Sequence, residues 1–275
     1  PLELAENLTE NQVELVGQDG SPHGEQNFII YNPPLVDEAL RLRKSALQMS
    51  VNLSKDLLAK NIQTLVFART RRTVEMVLTY LLEQVPYQYR ELIRGYRSGY
   101  LRGNRREIEE GFKSGKLRGI VATSALELGI DIGDLETVLI LGYPGSIAMT
   151  LQRAGRAGRK LQTAMAMLIA TPDAMDQYLC NHPELLLEGS PENALIDANN
   201  LSILMQHLRC AAFELPFAPG DRFGRLPDDL LKAFLEVLTR HEELVEKDGR
   251  YYWMADKYPA AGISLRSTSP NVISL

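Results

Sequence analysis

The sequence predicts an α/β fold: a doubly wound parallel sheet, followed by a smaller module of a different type. Up to about residue 180, near-continuous apolar strands alternate with amphipathic helices, the pattern of a parallel sheet that helices cover on both faces. After that point the pattern changes to helices and one hairpin. The chain has 275 residues and is 45% hydrophobic, so both parts can bury a core. We expect residues 1–181 to form the first domain and residues 182–275 the second.

The first sixty residues carry the weakest signals. Two short strands are predicted at "VELVGQDG" and "NFIIYNPP", around a turn rich in glycine and proline. A long helix is predicted from about Val36 to Lys60, with "DEAL" at its start.

From there to residue 170, strands and helices alternate. The strands are predicted at "QTLVFA", Glu91–Gly95, "GIVAT", "TVLILG" and "TAMAMLIA", and the helices at Arg71–Gln84, Arg105–Phe112 and Ala148–Ala157. Ligands of such a sheet collect at the carboxyl ends of its strands. The candidates for chemistry are the loops rich in charge and glycine, "FARTRR", "ATSALELGIDIG" and "LQRAGRAGRK".

The second domain is predicted to contain two helices, Asn200–Phe213 and Pro227–Glu243, and a β-ribbon over "DGRYYWMADKYPAAGISLRS". Residues 173–248 include 15 acidic and 6 basic side chains, a balance of −9. This acidic balance argues against strong independent binding of nucleic acid.

Composition excludes several classes of protein. The net charge is −5, so a partner that carries phosphates must meet a local basic surface. The two cysteines, Cys180 and Cys210, form no CxxC pair, which argues against a disulfide framework and a metal site; His207 near Cys210 has no second pair of ligands. No apolar run approaches the ~20 residues that span a bilayer, and the first residues do not resemble a signal peptide. We therefore expect a cytoplasmic protein without a membrane partner.

The segment "LQRAGRAGRK" concentrates positive charge in this acidic chain. Arg156 and Arg159 lie three residues apart, so on a helical turn both can converge on one polyanion, and the glycines between them let the backbone approach closely. Guanidinium groups suit phosphate oxygens. The alternative is a solvated basic helix face.

A second basic segment spans Arg90–Arg118, with nine basic and four acidic residues, a balance of +5. Its arginines at 94, 97 and 102 surround Tyr96 and Tyr100, and aromatic rings beside arginines support bases of a single strand. The alternative is a solvated helix edge with half-buried tyrosines.

Three motifs now carry a specific resemblance. "TLVFARTRR" (64–72), "VATSALELGIDIG" (121–133) and "QRAGRAGR" (152–159) resemble motifs IV, V and VI of superfamily 2 helicases, in that family's order. All three belong to the second RecA-like lobe. "YRSGYLRGNRREIEEGFKSGKLRGIVATSALELGIDIG" and "NLSILMQHLRCAAFELPF" resemble the MrfA/YprA-like branch of DEAD/DEAH-box DNA helicases.

The resemblance implies roles for residues at the nucleotide. Gln152, Arg156 and Arg159 would face the ATP phosphates, with Arg159 as the arginine finger that stabilises charge on the transferred phosphoryl group. Gly129 and Asp131 would lie beside the nucleotide, with Asp131 near the ribose.

The resemblance also implies contacts to the nucleic-acid backbone, made by Thr70 and Arg71 of motif IV and by Thr123 and Ser124 of motif V. Arg97 and Arg102 are added from the second basic segment. The hydroxyl groups have an alternative role as helix caps, above all Ser124, since "SALE" is a capping-box pattern.

Two matches to the other half of a helicase motor fail. "GFKSGKL" has its glycines four apart instead of five and places Leu117 where a P-loop needs Ser or Thr. "DEAL" imitates a DEAH box, but Pro33 and Pro34 interrupt the strand that would carry it, so we interpret it as a helix start. ATP and Mg²⁺ would be bound mainly by a first RecA-like lobe, and we expect this chain alone to be inactive.

The second domain resembles the winged-helix region that follows this motor, truncated at its C-terminal end. Trp253 with Tyr251 and Tyr252 is either a nucleic-acid platform or the core of this small domain. The family's cysteine-rich region, where a zinc site is expected, has no counterpart in this sequence.

The function that these features imply is the second lobe of an ATP-driven 3′ to 5′ DNA helicase or translocase in DNA repair. Its partners would be the first lobe and either single-stranded DNA or a duplex with a 3′ tail. Two alternatives stay open: a non-catalytic nucleic-acid-binding or regulatory module of helicase-like fold, and an RNA helicase, because these motifs do not reveal whether a 2′-OH is recognised.

Overall fold

A computed structural model describes residues 2–17, 20, 24–127, 135–158, 163–193 and 200–263. The chain divides into two compact units, residues 19–192 and residues 1–18 together with 193–275. The boundary therefore falls after residue 192, whereas the sequence pattern predicts it after residue 181. The N-terminal segment, residues 1–18, belongs to the second unit. We call these units the sheet unit and the helical unit.

The sheet unit is built on parallel strands. Within the described residues its strands are β1 (Gln26–Tyr31), β2 (Leu35–Asp37), β3 (Leu42–Arg43), β4 (Thr64–Phe67), β5 (Ile93–Tyr96), β6 (Gly119–Ala122), β7 (Thr137–Leu141) and β8 (Ala164–Ile169). Six of them form one parallel sheet in the order β1-β8-β7-β4-β6-β5, and β2 pairs with β3 as a separate antiparallel hairpin.

Helices cover both faces of this sheet, as the sequence pattern predicts. They are α2 (Ala46–Ala59), α3 (Arg71–Gln84), α4 (Tyr87–Arg90), α5 (Arg102–Lys113), α6 (Ile147–Ala154), α7 (Ala174–Asn181) and α8 (Glu184–Leu187); α1 (Leu2–Thr9) belongs to the helical unit. Two hydrophobic clusters lie in this unit, one around Phe67 and Phe112 and the other around Val51 and Val77. The residues of β4, β6 and β7 are buried throughout, which explains their continuous apolar runs.

The strand order brings the candidate loops together. β4 lies between β6 and β7, and Phe67 at its end pairs in register with Ala122 and Ile140. Because the strands are parallel, the loops that follow β4 and β6 leave the sheet at the same edge.

The predictions for the first sixty residues are partly wrong. Residues 13–17 form no strand, and the first third of the predicted helix from Val36 is the β2–β3 hairpin. "DEAL" forms its turn, where the Asp37 carboxylate accepts a hydrogen bond from the Leu40 amide at 2.9 Å. Asp favours this local bond over a helix, and the prolines at 33 and 34 keep the preceding backbone extended. The helix α2 begins only after Ser45, which caps the Gln48 amide.

The helical unit contains α9 (Leu201–Glu214), α10 (Asp228–Arg240) and an antiparallel pair, β9 (Leu244–Lys247) and β10 (Arg250–Trp253). Its core is a single cluster of leucine and aromatic side chains, which includes Leu208, Leu235 and Leu238. The ribbon is centred on Asp248 and Gly249, which have φ angles of 53° and 74°, so the prediction that it begins there is wrong. The sequence DG favours this tight hairpin turn, and the preceding strand is β9.

No helix within the described ranges has both the length and the apolar character needed to cross a lipid bilayer.

One buried carboxylate, Asp176 of α7, ties together the loops after β7 and β8. Its Oδ1 accepts from the Tyr143 amide at 2.9 Å, and its Oδ2 accepts from the Thr171 amide at 2.7 Å and the Thr171 hydroxyl at 2.6 Å. Asp176 is 1% exposed, so water cannot replace these bonds.

We predict that Asp176→Ala lowers the free energy of unfolding by about 2–4 kcal/mol, because two main-chain donors lose their partner in or near the core. Urea denaturation of the chain measures this difference. Asp173→Ala is the matched control, since this exposed carboxylate accepts from the Met175 amide and makes an exposed pair with Arg69 at 3.7 Å, and its loss costs about 1 kcal/mol. Equal losses in the two variants would contradict the structural role of Asp176.

Candidate nucleotide and nucleic-acid site

The basic segment 151–160 is divided by the end of α6. Ser146 caps the first turn of α6 by accepting from the Met149 amide at 3.0 Å, and Gly155 ends the helix after Ala154. Gly158 has a φ angle of 81°, and a Cβ there would lie 3.1 Å from the Ala164 Cβ. Glycine is therefore required at 158 for both conformation and space.

Arg153 and Glu127 form a buried ion pair between α6 and the segment after β6. The Arg153 Nε donates to the Glu127 Oε2 at 2.9 Å, and the two side chains are 3% and 7% exposed. The Arg153 guanidinium also lies over the Phe67 ring, 5.3 Å from its centroid. Charges as deep as these occur in proteins when they are paired, because their transfer from water is costly.

Arg156 is held against the same residue through the main chain. Its Nε and Nη2 donate to the Glu127 carbonyl oxygen at 3.0 and 2.6 Å, and the residue is 4% exposed. Burial of Arg153 and Arg156 is not compatible with a solvated basic helix face. Gln152, by contrast, is exposed on the last turn of α6.

Three of the predicted nucleotide residues lie outside the described residues: Gly129, Asp131 and Arg159.

The sequence pattern does not single out Glu127 and Arg153 as candidate site residues. Thr150, Arg153 and Ala154 have the i, i+3, i+4 spacing of one helix face, and in the structure all three residues are buried. An arginine on the buried side of a helix needs a carboxylate partner, but the sequence alone does not say which one.

The loop after β4 carries Thr70 and Arg71, as motif IV predicts. Thr70 is the N-cap of α3 and accepts from the Thr73 amide at 3.0 Å, so the capping alternative is observed for this residue. Arg71 is exposed, and its Nη2 donates to the Ser98 hydroxyl at 2.8 Å. This bond joins the loops that follow β4 and β5.

The loop after β6 begins with Thr123 and Ser124. Thr123 is buried at 9% exposure, whereas Ser124 is exposed as the first residue of a 3₁₀ turn, Ser124–Leu126. No side chain caps this turn, so the capping-box interpretation of "SALE" is wrong. The turn is too short for the Glu to reach back, and Glu127 is held instead by Arg153.

Two arginines of the basic segment Arg90–Arg118 are candidate nucleic-acid contacts, the partly exposed Arg97 and the exposed Arg102. Arg97 pairs with Glu75, whose hydrogen bond raises the pKa of the guanidinium, and it lies 5.0 Å from the Tyr100 ring centroid. Arg102 is exposed at the first residue of α5.

Tyr96 is not an aromatic platform, which corrects the expectation for that residue. It is 1% exposed, and its hydroxyl donates to the Glu109 Oε1 at 2.6 Å. Burial, together with Glu109, raises the pKa of Tyr96 to about 12. Tyr96 lies in the core cluster around Phe67, on the side of β5 where α5 supplies Glu109.

The described part of the helical unit has few candidate site residues. Within the described ranges, no three His, Cys, Asp or Glu side chains are grouped as metal ligands are. His207 is exposed on α9, and Cys210 is a free thiol. Tyr251 and Trp253 pack against the core of this unit, so the core interpretation is confirmed for both.

Two family models match the chain. Residues 48–160 match the helicase conserved C-terminal domain, and residues 196–268 match the winged helix domain of the ATP-dependent helicase HRQ1. These ranges fall in the sheet unit and the helical unit respectively.

Relatives extend the similarity to nearly the whole chain. It is 44% identical to the ATP-dependent helicase YprA of Bacillus subtilis over 98% of this chain and 36% of the relative. It is 37% identical to the ATP-dependent helicase HRQ1 of Saccharomyces cerevisiae over 93% of this chain and 24% of the relative. The chain therefore spans about a quarter to a third of the length of these relatives.

Solved structures also match nearly the whole chain. Crystal structures of the DUF1998 helicase MrfA bound to DNA, without and with AMPPNP, each superpose with a TM-score of 0.88 at 43% identity. The alignments cover 98% and 97% of this chain, and 36% and 37% of MrfA.

Proposed function

This chain belongs to the YprA/MrfA-like superfamily 2 helicases, and we propose that it is the second motor lobe of an ATP-dependent DNA helicase or translocase. The observation that carries the proposal is that Glu127 of motif V binds both Arg153 and Arg156 of motif VI, while the loops of motifs IV and V leave the sheet at the same edge. Such an arrangement suits a lobe that must sense both a nucleotide and a nucleic acid.

The nucleotide end of this proposal rests on donors that suit phosphate oxygens. Gln152, Arg156 and Arg159 would hold the ATP phosphates, with Gly129 and Asp131 beside the nucleotide, and ATP would supply the hydrolysable phosphoanhydride bond. The side-chain amide of Gln152 is exposed, and the backbone turns sharply at Gly158. Both features suit a segment that binds a phosphate group. Mg²⁺ would be held mainly by the first RecA-like lobe of the full-length protein, and this chain alone would not hydrolyse ATP.

The nucleic-acid end rests on hydroxyls and cations at the same edge of the sheet. Thr70, Arg71, Thr123 and Ser124 would bind backbone phosphates without reading sequence, and Arg97 and Arg102 would extend this surface. Capping of α3 by Thr70 does not exclude this role, since a hydroxyl oxygen can accept from an amide while its proton is donated elsewhere. The similarity to MrfA, which was crystallised bound to DNA, supports DNA as the partner.

The proposal also includes a direction of movement, a form of DNA, a biological role and a location. Movement from 3′ to 5′, binding of single-stranded DNA or a duplex with a 3′ tail, and a role in DNA repair rest on family resemblance alone. A cytoplasmic location rests on the free cysteines at 180 and 210. A regulatory module without catalysis is the second candidate, but it has no need of two arginines organised around one motif V residue.

We predict that Arg159→Ala in the full-length protein lowers ATP turnover by about 10³-fold or more and changes nucleotide affinity only a few-fold, because a finger acts on charge that develops in the transition state. Steady-state kinetics with single-stranded DNA give both values. Gln152→Ala is expected to have a milder effect, and Lys160→Ala is the matched control for a neighbouring lost charge. Normal turnover in Arg159→Ala would exclude the finger role of Arg159, whereas a lack of DNA-stimulated turnover in the unsubstituted full-length protein would favour the regulatory module.

We also predict that Arg97→Gln with Arg102→Gln weakens DNA binding about equally for unrelated sequences. The slope of log K against log salt concentration is negative, and it should become less steep by roughly 0.7 for each phosphate that the variant no longer neutralises. Fluorescence anisotropy of the full-length protein on mixed-sequence and homopolymer oligonucleotides, titrated with salt, measures both effects. Lys55→Gln on α2 with Lys60→Gln at its C-cap is the control for loss of charge outside the proposed interface.

An unchanged salt slope in the arginine double variant would mean that Arg97 and Arg102 only solvate the domain. A loss confined to one sequence would instead mean that they read bases.

A further inference from the structure

One buried arginine touches all three motif segments of the sheet unit. Arg153 belongs to motif VI, its guanidinium pairs with Glu127 of motif V, and it stacks on Phe67, three residues before Thr70 of motif IV. Within the described residues its Nη1 has no hydrogen-bond partner, so the pair with Glu127 is its main compensation for burial.

Glu127 is bound at two points. Its carboxylate holds Arg153, and its carbonyl oxygen accepts two hydrogen bonds from Arg156. A displacement of Glu127 therefore has to move or unpair both arginines. Unpairing a buried charge is costly, so the smaller cost is for the three residues to move together.

The segment that precedes Glu127 is short and folded. The Glu127 amide donates to the Ser124 carbonyl oxygen at 2.9 Å, which closes the 3₁₀ turn Ser124–Leu126. Leu126 in this turn is fully buried in the core cluster around Phe67. The proposed DNA-binding residues Thr123 and Ser124 thus lie one tight turn from the residue that holds the two arginines.

We propose that Glu127 is a positioning residue that couples DNA binding at Thr123 and Ser124 to the placement of Arg156 at the nucleotide. The inference rests on the proposed function, because it needs a nucleotide at motif VI and a nucleic acid at motif V. Glu127 touches neither ligand: it transmits a shift of the motif V turn to α6 through the Arg153 pair and to Arg156 through its carbonyl oxygen. Coupling of this kind is reciprocal, so a nucleotide must change DNA affinity by the factor with which DNA changes nucleotide affinity.

A purely structural role for the ion pair predicts something different. In that case its loss lowers stability and leaves the link between the two ligands intact. The two roles separate in a variant that removes both charges together, because replacing both partners of a buried pair costs far less than removing one.

The test uses the full-length protein with Glu127→Gln and Arg153→Gln combined. The dissociation constant for a fluorescent single-stranded oligonucleotide is measured with and without a non-hydrolysable ATP analogue, and the ratio of the two constants is the coupling factor. In the wild type we expect a factor in the range of about 5–150. The double variant removes the link to α6 but keeps the carbonyl link from residue 127 to Arg156, so we expect the factor to fall below about half of the wild-type value, while each ligand alone binds within about 3-fold of the wild type.

Asp176→Asn is the matched control, since it also neutralises a buried carboxylate of the sheet unit but lies outside the three motifs. Its coupling factor should equal that of the wild type. A second variant, Glu127→Asp, keeps the charge and shortens the side chain by one methylene, and it should fold and show a reduced factor even if the double variant does not fold.

A wild-type coupling factor in the double variant, or in Glu127→Asp when the double variant does not fold, would overturn the inference and leave the proposed function standing. A wild-type protein whose DNA affinity does not respond to the analogue would also overturn the inference, and a wild-type protein without DNA-stimulated ATP turnover would overturn the proposed function itself.

Discussion

Parallel pairing of β4 with both β6 and β7 is the constraint on which the site depends. Parallel neighbours end at the same edge, so the loops after β4 and β6 must emerge side by side whatever their sequences are. The loops themselves are then free to carry hydroxyls and arginines, because the buried residues of the strands hold the sheet together without them. The Arg153–Glu127 pair adds a polar joint where an otherwise apolar core meets this edge.

Placement of charge explains how an acidic chain can meet a polyanion. The net charge is −5, but motif IV contains Arg69, Arg71 and Arg72, and motif VI contains Arg153, Arg156 and Arg159. Arg97 is held by Glu75 and the ring of Tyr100, which lowers the entropy that a long side chain loses when it binds.

Local patterns predict the elements whose signals are local. The bounds of α3 are predicted as Arg71–Gln84 because Thr70 is a typical N-cap and the apolar period is clear, and β4 and β6 are predicted from their apolar runs. The sequence pattern does not predict the β2–β3 hairpin, because the apolar residues from Val36 onward have the spacing of a helix. The two prolines and Asp37 favour the hairpin, but they are a weaker pattern. Tyr96 and Glu127 are missed for a different reason: the first is buried by a helix that follows it, and the second finds its partner 26 residues away. Only tertiary packing decides such cases.

The hairpin that replaces the start of the predicted helix has a consequence for how such lobes diversify. Among the described residues its strands pair with each other alone, and neither core cluster of the sheet unit includes their residues. Val36 and Leu40 are 61% and 69% exposed, so insertions or exchanges at its tip leave the packing of the sheet unchanged. Evolution can therefore vary the length and composition of this excursion almost independently of the motifs, and the same freedom makes its tip a suitable point for attaching a fluorophore or an affinity tag.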